Sequence, residues 1–320
     1  MKRLITLLIV LAIFVIAVTF WWTNGLKAVS PSDKTPRIFV VNKGEDVRKI
    51  ANNLKAQELI RDPIVFFLLT KQEGLDKQIQ AGDFRLNPSM SAQEIASNLT
   101  HGTLDIWVTI PEGLRADEIA DILKEKLPTY KESWRASLDA NEGYLFPDTY
   151  LIPRDADVNM VISIFKNNFE EKFASVKTSK ANGLSDADSI IIASIVEREA
   201  VFAEDRPIVA SVFLNRLNIG MPLGSDPTVQ YALGYQPAEK SWWKKELTVD
   251  DLNINSPYNT RKNVGLPPTP ISNPGLSSIK AALNPANTNY LYFYSDKQGH
   301  LHFATTLEGH NANVKKYGAQ

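Results

Sequence analysis

From Leu4 to Leu26 the chain carries no charge; beyond it, apolar and polar positions trade places in short blocks. The uncharged run, "LITLLIVLAIFVIAVTFWWTNGL", predicts one long helix. A helix over Leu4–Trp22 spans about 28 Å, close to the hydrocarbon thickness of a bilayer. Lys2 and Arg3 precede it, and Trp21 and Trp22 sit where an interfacial aromatic belt forms. A cleaved signal peptide has a shorter apolar region, about 7–15 residues, followed by a small-x-small site. This run is longer and ends in Phe-Trp-Trp, so a retained transmembrane anchor is expected. The basic end then stays in the cytoplasm, and the rest of the chain lies across the membrane.

After a polar, proline-punctuated linker over 28–37, residues 38–127 read as roughly three strand-then-helix units. Phe39–Val41 is the first β-prone run, and Val47, Ile50, Ala51 and Leu54 form the first helical stripe. A second helix opens at Pro63. A strand near Phe84–Leu86 precedes a helix over Ser91–Leu99, where Ser91 and Glu94 fit the spacing of a capping box. Trp107–Ile110 and Ala116–Leu127 repeat the pattern. No catalytic cluster stands out in this region. Further on, 141–156 reads as an aromatic, proline-rich loop. Helices are predicted over 157–176 and 186–200, from Pro207 to before Gly220, and from Asp226-Pro227. A long loop over 256–275, a short helix and a β-hairpin over 290–306 complete the chain. The expected fold class is α+β, a transmembrane helix followed by a strand–helix region and a mixed α+β domain ending in a hairpin.

Composition narrows the chemistry. A chain of 320 residues is long enough for two folded units. With 35 basic and 36 acidic residues, nothing points to nucleic acid as a partner. The absence of cysteine excludes disulfides, thiol nucleophiles and cysteine–zinc sites. His300 and His302 share a predicted strand face with only His310 nearby, too few ligands for zinc, so no metal is expected. No phosphate loop, nucleophile elbow or dinucleotide fingerprint occurs, and no cofactor is expected.

The stretch "IIIASIVEREA" runs an apolar helix straight into Glu197 and Glu199. Helical neighbours lie three and four residues away. Glu199 has Ile195, Val196, Phe202 and Ala203; Glu197 has Ala193, Ser194, Ala200 and Val201. The bulkier set surrounds Glu199, making it the better candidate for a desolvated carboxyl with the raised pKa of a general acid. The plainer alternative is a pair of surface glutamates bridged to Arg198 or Arg206. Asn215, Asp226, Gln230, Tyr258, Asn259 and Thr260 lie in or beside loops rich in Tyr, Phe and Pro. A sugar-binding groove uses that mixture of amides, hydroxyls and aromatic faces. Singly, each is explained as a turn former or cap, Asp226 before Pro227 and Asn259 in a turn being examples.

Together "IIASIVEREA", "RPIVASVFLNRLNIGMPLGSDPTVQYAL", "SPYNTRKNVGLPPTPISNPG", "SIKAALNPANTNYLYF" and "HFATTLEGHN", with "EGYLFPDTY" upstream, resemble the YceG-like family. The resemblance covers nearly the whole chain. It implies an anchor over 1–27, a linker over 28–37, a LysM-like subdomain within 38–127 and a catalytic domain over 128–320. It further implies an inner-membrane protein with a periplasmic body. Such a protein cleaves peptidoglycan glycan strands internally, between N-acetylmuramic acid and N-acetylglucosamine, and leaves 1,6-anhydro ends. That activity would serve wall assembly or the termination of strand elongation, with penicillin-binding synthases as expected partners. Lytic transglycosylases place their glutamate at the end of an apolar helix before a small residue. Glu199 precedes Ala200 whereas Glu197 precedes Arg198, so the resemblance also selects Glu199. Tyr258, Asn259 and Thr260 match the family's "SPYNT" loop and are expected to hold the sugar. Asn215, Ser225, Asp226, Gln230, Tyr144 and Asp148 are expected to line the groove.

Overall fold

The computed structural model describes residues 2–100, 105–177 and 183–318, with side chains from Leu7 onward. The side chains of Lys2 and Arg3, which carry the orientation argument, lie outside the described residues. The chain divides into two compact units, Met1–Ile106 with Pro153–Asp155, and Trp107–Ile152 with Ala156–Gln320.

The first unit opens with helix α1 (Lys2–Leu26). Its Leu7–Leu26 segment is long and apolar enough to cross a membrane. Strand β1 (Arg37–Val41) follows, then α2 (Val47–Ala56), α3 (Pro63–Gln72), β2 (Gly82–Leu86) and α4 (Ala92–Thr100). β1 and β2 pair antiparallel, with Phe39 opposite Phe84. The caps follow local chemistry. Asp46 accepts the Arg48 N–H at the start of α2, and Asp62 accepts those of Ile64 and Val65 at the start of α3. Ser91 and Glu94 bond reciprocally, as their spacing predicts. Phe39, Ile50, Leu54, Phe66, Phe84, Ile95 and Leu99 form the core, and Trp22 and Leu26 of α1 pack against it. Gly25 permits that approach, because a Cβ there would lie 2.6 Å from Val65 Cγ2. Of residues 28–37, read as a linker, Arg37 already belongs to β1, and the others have no regular structure but are tied down. The Ser30 N–H bonds the Pro88 carbonyl, and Arg61 Nε bonds the Ala28 carbonyl at 2.8 Å.

Strands β3 (Asp105–Thr109) and β4 (Thr149–Pro153) form a second two-stranded sheet. β4 corrects the reading of 141–156 as loop throughout. Tyr150, Leu151 and Ile152 are consecutively buried, too short an apolar run to stand out between prolines. Helix α5 (Ala116–Lys126) follows β3 as expected, but it packs on α6 (Trp134–Asp139) in the second unit rather than with the earlier strand–helix pairs.

The rest of the second unit is mainly helical: α7 (Val158–Val176), α8 (Asp186–Glu199), α9 (Arg206–Asn218), α10 (Asp226–Leu233), α11 (Val249–Leu252) and α12 (Leu276–Leu283). β5 (Tyr292–Ser295) and β6 (Leu301–Ala304) make the expected hairpin, followed by α13 (Leu307–Tyr317). Helices α6, α11 and α13 were not anticipated; α11 and α13 bury no residue, so no apolar stripe announces them. α8 is the opposite case. Every residue from Ser189 to Val196 is buried, as α9, α10 and α12 pack around it. Ser194 stays satisfied there because its hydroxyl accepts the Ile271 N–H at 3.0 Å, which ties the long 256–275 loop against the helix.

Candidate active site

Glu199 is the last residue of α8, where the backbone turns extended at Ala200. Its Oε1 accepts a hydrogen bond from Ser225 Oγ at 2.6 Å. Ser225, itself buried, is the N-cap residue of α10, and two threonines fix it. Its N–H bonds Thr260 Oγ1 at 3.1 Å, its carbonyl accepts from Thr228 Oγ1 at 2.7 Å, and the two threonine hydroxyls meet at 2.8 Å. Gly224 makes the preceding turn at φ +66°, and a Cβ there would lie 2.9 Å from Arg216 Nη1.

A cavity of about 510 Å³ opens at Glu199, lined also by Arg216, Asp226, Arg261, Tyr292 and His310. Burial pushes the Glu199 carboxyl up to about 7. The Ser225 bond opposes that rise, Asp226 adds to it, and Arg261 and Arg216 counter it. Asp226 is the first residue of α10, not its cap, and Arg261 Nε binds its carboxylate at 2.6 Å. Burial holds His310 below the usual histidine range, with Arg216 adding to the effect.

Glu197 points elsewhere, as a two-residue helical offset requires. Its carboxylate accepts from Arg206 Nη2 at 3.0 Å and from the Gly275 N–H at 2.9 Å, just ahead of α12. With 5% of its side chain exposed, it is a buried, paired group rather than a surface one. The Arg206 partnership foreseen for a surface pair therefore exists, inside the fold. Arg198, between the two acids, lies over the Trp243 ring at 3.9 Å.

The other expected groove residues divide three ways. Ser225 and Asp226 reach Glu199. Tyr144 and Tyr258 line a different cavity, of about 350 Å³, with Glu142, Tyr231 and Thr269. There Tyr258 lies 4.8 Å from the Tyr231 ring and bonds Thr269 Oγ1 at 2.7 Å. The remaining five serve the scaffold. Asn259 is buried and donates to the Leu252 and Ile254 carbonyls, and Thr260 holds Ser225. Asn215 donates to the Thr288 and Tyr290 carbonyls, Gln230 to that of Lys244, and Asp148 accepts from Asn168. Asn and Gln side chains recommend themselves equally as ligand contacts and as backbone ties, whether on a helix, as Asn215 and Gln230 are, or in a loop, as Asn259 is, and sequence does not separate the two.

Arg216, Arg261, Tyr292 and His310 were missed. Arg261 directly follows the "SPYNT" loop, and Arg216 is a cation on a largely apolar helix; both were available signals. Glu142 was missed too. It is buried, accepts the Ala116 N–H and Asn273 Nδ2, and burial raises its carboxyl to about 8. Nor do His300 and His302 act together. His300 precedes β6 and stacks on Phe202, while His302 bonds Asp296 and stacks on Tyr317.

Known proteins resemble this chain. An endolytic murein transglycosylase of Bacillus subtilis is 34% identical, over 91% of this chain and 88% of that protein. One of Streptococcus pneumoniae is 29% identical over 98% of this chain, which spans 64% of the longer protein. The crystal structure of a yceG-like protein from Listeria monocytogenes matches with a TM-score of 0.54 and 31% identity, covering 87% of this chain and 99% of that one. The model of the YceG-like family runs over residues 39–316, through both units and every residue of the Glu199 cavity, and the chain belongs to that family.

Proposed function

We propose that this protein is an endolytic lytic transglycosylase, held to the membrane by α1, that cuts peptidoglycan strands between N-acetylmuramic acid and N-acetylglucosamine. The observation that carries the reading is Glu199, a single carboxyl raised to about 7 on the wall of a cavity. A group with that pKa is partly protonated at neutral pH and can serve as acid and then as base. In the first step Glu199 protonates the glycosidic oxygen as the bond to the muramic anomeric carbon breaks. The muramic C6 hydroxyl then bonds that carbon and returns its proton to Glu199, leaving a 1,6-anhydro ring. No water is consumed, and the nucleophile is already attached to the electrophile. Ser225 occupies Oε1, which leaves Oε2 for the proton, and its bond stabilises the carboxylate between the two steps. The relatives named endolytic murein transglycosylases support the substrate class. The uncharged Leu7–Leu26 segment of α1 supports the anchor, which places the enzyme beside the membrane's glycan synthases as expected partners.

Asp226 favours a second reading, a hydrolase with two carboxylates, since it lines the same cavity. Its tight pairing with Arg261 makes it a poor base for water, which is why the lytic reading ranks first. Digestion of purified peptidoglycan in oxygen-18 water decides between them. Anhydro-muramic ends without label are expected; labelled reducing ends would replace the lytic reading with the hydrolytic one. Glu199→Gln is expected to lower turnover by at least roughly a hundredfold while strand binding persists. Full activity in that variant removes Glu199 from the mechanism.

A further inference from the structure

Helix α3, "PIVFFLLTKQ", is apolar on two faces. One face is accounted for, with Val65, Phe66 and Leu69 in the core of the first unit. The other carries Ile64, Phe67 and Leu68, spaced i, i+3 and i+4. Ile64 is 59% exposed and Leu68 41%. These three line a concavity of about 430 Å³ together with Pro63, Arg48 and Asn52. The Arg48 guanidinium lies 4.9 Å from the centre of the Phe67 ring, and Lys71, which pairs with Asp76, flanks the same ring at 5.9 Å.

The place of this face along α1 identifies what covers it. Trp21 Nε1 donates to Asp62, the cap of α3, at 3.0 Å, and Gly25 sits against Val65. The start of α3 is therefore level with the last turns of the membrane-length helix. That is the depth at which tryptophans mark the boundary between hydrocarbon and headgroups. Apolar side chains bordered by Arg and Lys at that depth have the chemistry of an interfacial contact, aliphatic and aromatic groups toward the acyl chains and cations toward lipid phosphates.

We infer that the Ile64–Phe67–Leu68 face of α3 seats in the outer surface of the bilayer that α1 crosses, giving the first unit a second membrane contact. This rests on the reading of α1 as an anchor. The face turns a single-helix tether into a two-point attachment and restrains how the first unit tilts on the membrane. The ligand is the phospholipid surface itself, with anionic headgroups preferred by Arg48, Lys71 being already paired with Asp76.

The chain has no cysteine, so one introduced thiol is labelled uniquely. The full-length Leu68→Cys protein, carrying an environment-sensitive fluorophore, is reconstituted into vesicles of phosphatidylethanolamine and phosphatidylglycerol. Nitroxides placed near the headgroup or at the acyl-chain end then quench it. The Leu68 label is expected to lose most of its emission to headgroup-proximal nitroxides and little to chain-end ones. A label at Phe14, mid-way along α1, is expected to show the reverse order. Quenching at Phe14 with none at Leu68 overturns the proposal and leaves the anchor standing; no quenching at either overturns the anchor. Self-quenching between Leu68 labels without lipid quenching assigns the face to a second copy of the chain and also overturns the proposal. Ile64→Cys reads the same face should the Leu68 substitution unfold the unit.

Discussion

Removing the Ser225 hydroxyl changes the acidity of Glu199 with little other disturbance. The bond it gives Oε1 is 2.6 Å long and favours the charged carboxylate. A hydrogen bond to a charged group is worth about 1.5–3 kcal/mol. At about 1.4 kcal/mol per pKa unit, its loss raises Glu199 by roughly 1–2 units, from about 7. In the proposed first step Glu199 must be protonated, so kcat/KM is expected to be flat below that pKa and to fall tenfold per pH unit above it. In Ser225→Ala the alkaline limb therefore moves up by roughly 1–2 units. The plateau falls as well, because a weaker acid protonates the leaving oxygen less readily, by roughly three- to tenfold. The assay is release of anhydro-muramic ends from purified strands across a pH series, with circular dichroism to establish folding. His310 does not confuse the result, since burial and Arg216 place it below the ordinary histidine range. A limb that stays in place, or moves to lower pH, refutes the assignment of that limb to Glu199 and of Ser225 as its donor.

The neighbouring charges test the same carboxyl with opposite signs. Asp226→Asn removes a charge that raises the Glu199 pKa and is expected to shift the limb down; Arg261→Ala removes one that lowers it and is expected to shift the limb up. Parallel shifts in pH profiles of the two variants would contradict this electrostatic account. Glu142 bears on stability instead. Its folded pKa of about 8 lies above the ordinary 4.5, so the folded state keeps a proton that the unfolded chain releases. Its contribution is thus complete below about 4.5 and declines as pH rises toward about 8. Thermal melts of Glu142→Gln are expected to lack that decline, and a wild-type slope in the variant removes Glu142 as its source. Arg206→Met leaves Glu197 buried with the Gly275 N–H as its hydrogen-bond donor among the described residues and is expected to cost about 3–5 kcal/mol by denaturant melts. Adding Glu197→Gln should recover much of it; an unaltered double variant would mean that packing, not the orphaned charge, sets the loss.

Local order along the chain was largely legible. The uncharged run, the Ser91–Glu94 box, the starts at Pro63 and Pro207 and the hairpin are decided by neighbours within about four residues, which is the range over which periodicity and capping act. The same reach ranked Glu199 above Glu197, but only Ile195 and Val196 of its four expected neighbours travel with the helix: α8 ends at Glu199 and the chain turns extended at Ala200, so Phe202 leaves that face and stacks on His300. Tertiary structure alone decided what lies opposite those residues. Ser225 meets Glu199 from 26 positions away and Arg261 meets Asp226 from 35, distances closed only when α8, α9 and the 256–275 loop pack together. The sign of each loop residue was equally out of reach. Asn259 and Thr260 carry groups fit for a sugar, yet buried backbone carbonyls and the Ser225 N–H claim them, because an unpaired polar group in the interior costs more than a bond to ligand returns. Composition and spacing placed Glu199, the candidate acid, at the end of its helix; the cavity around it exists because distant segments converge there.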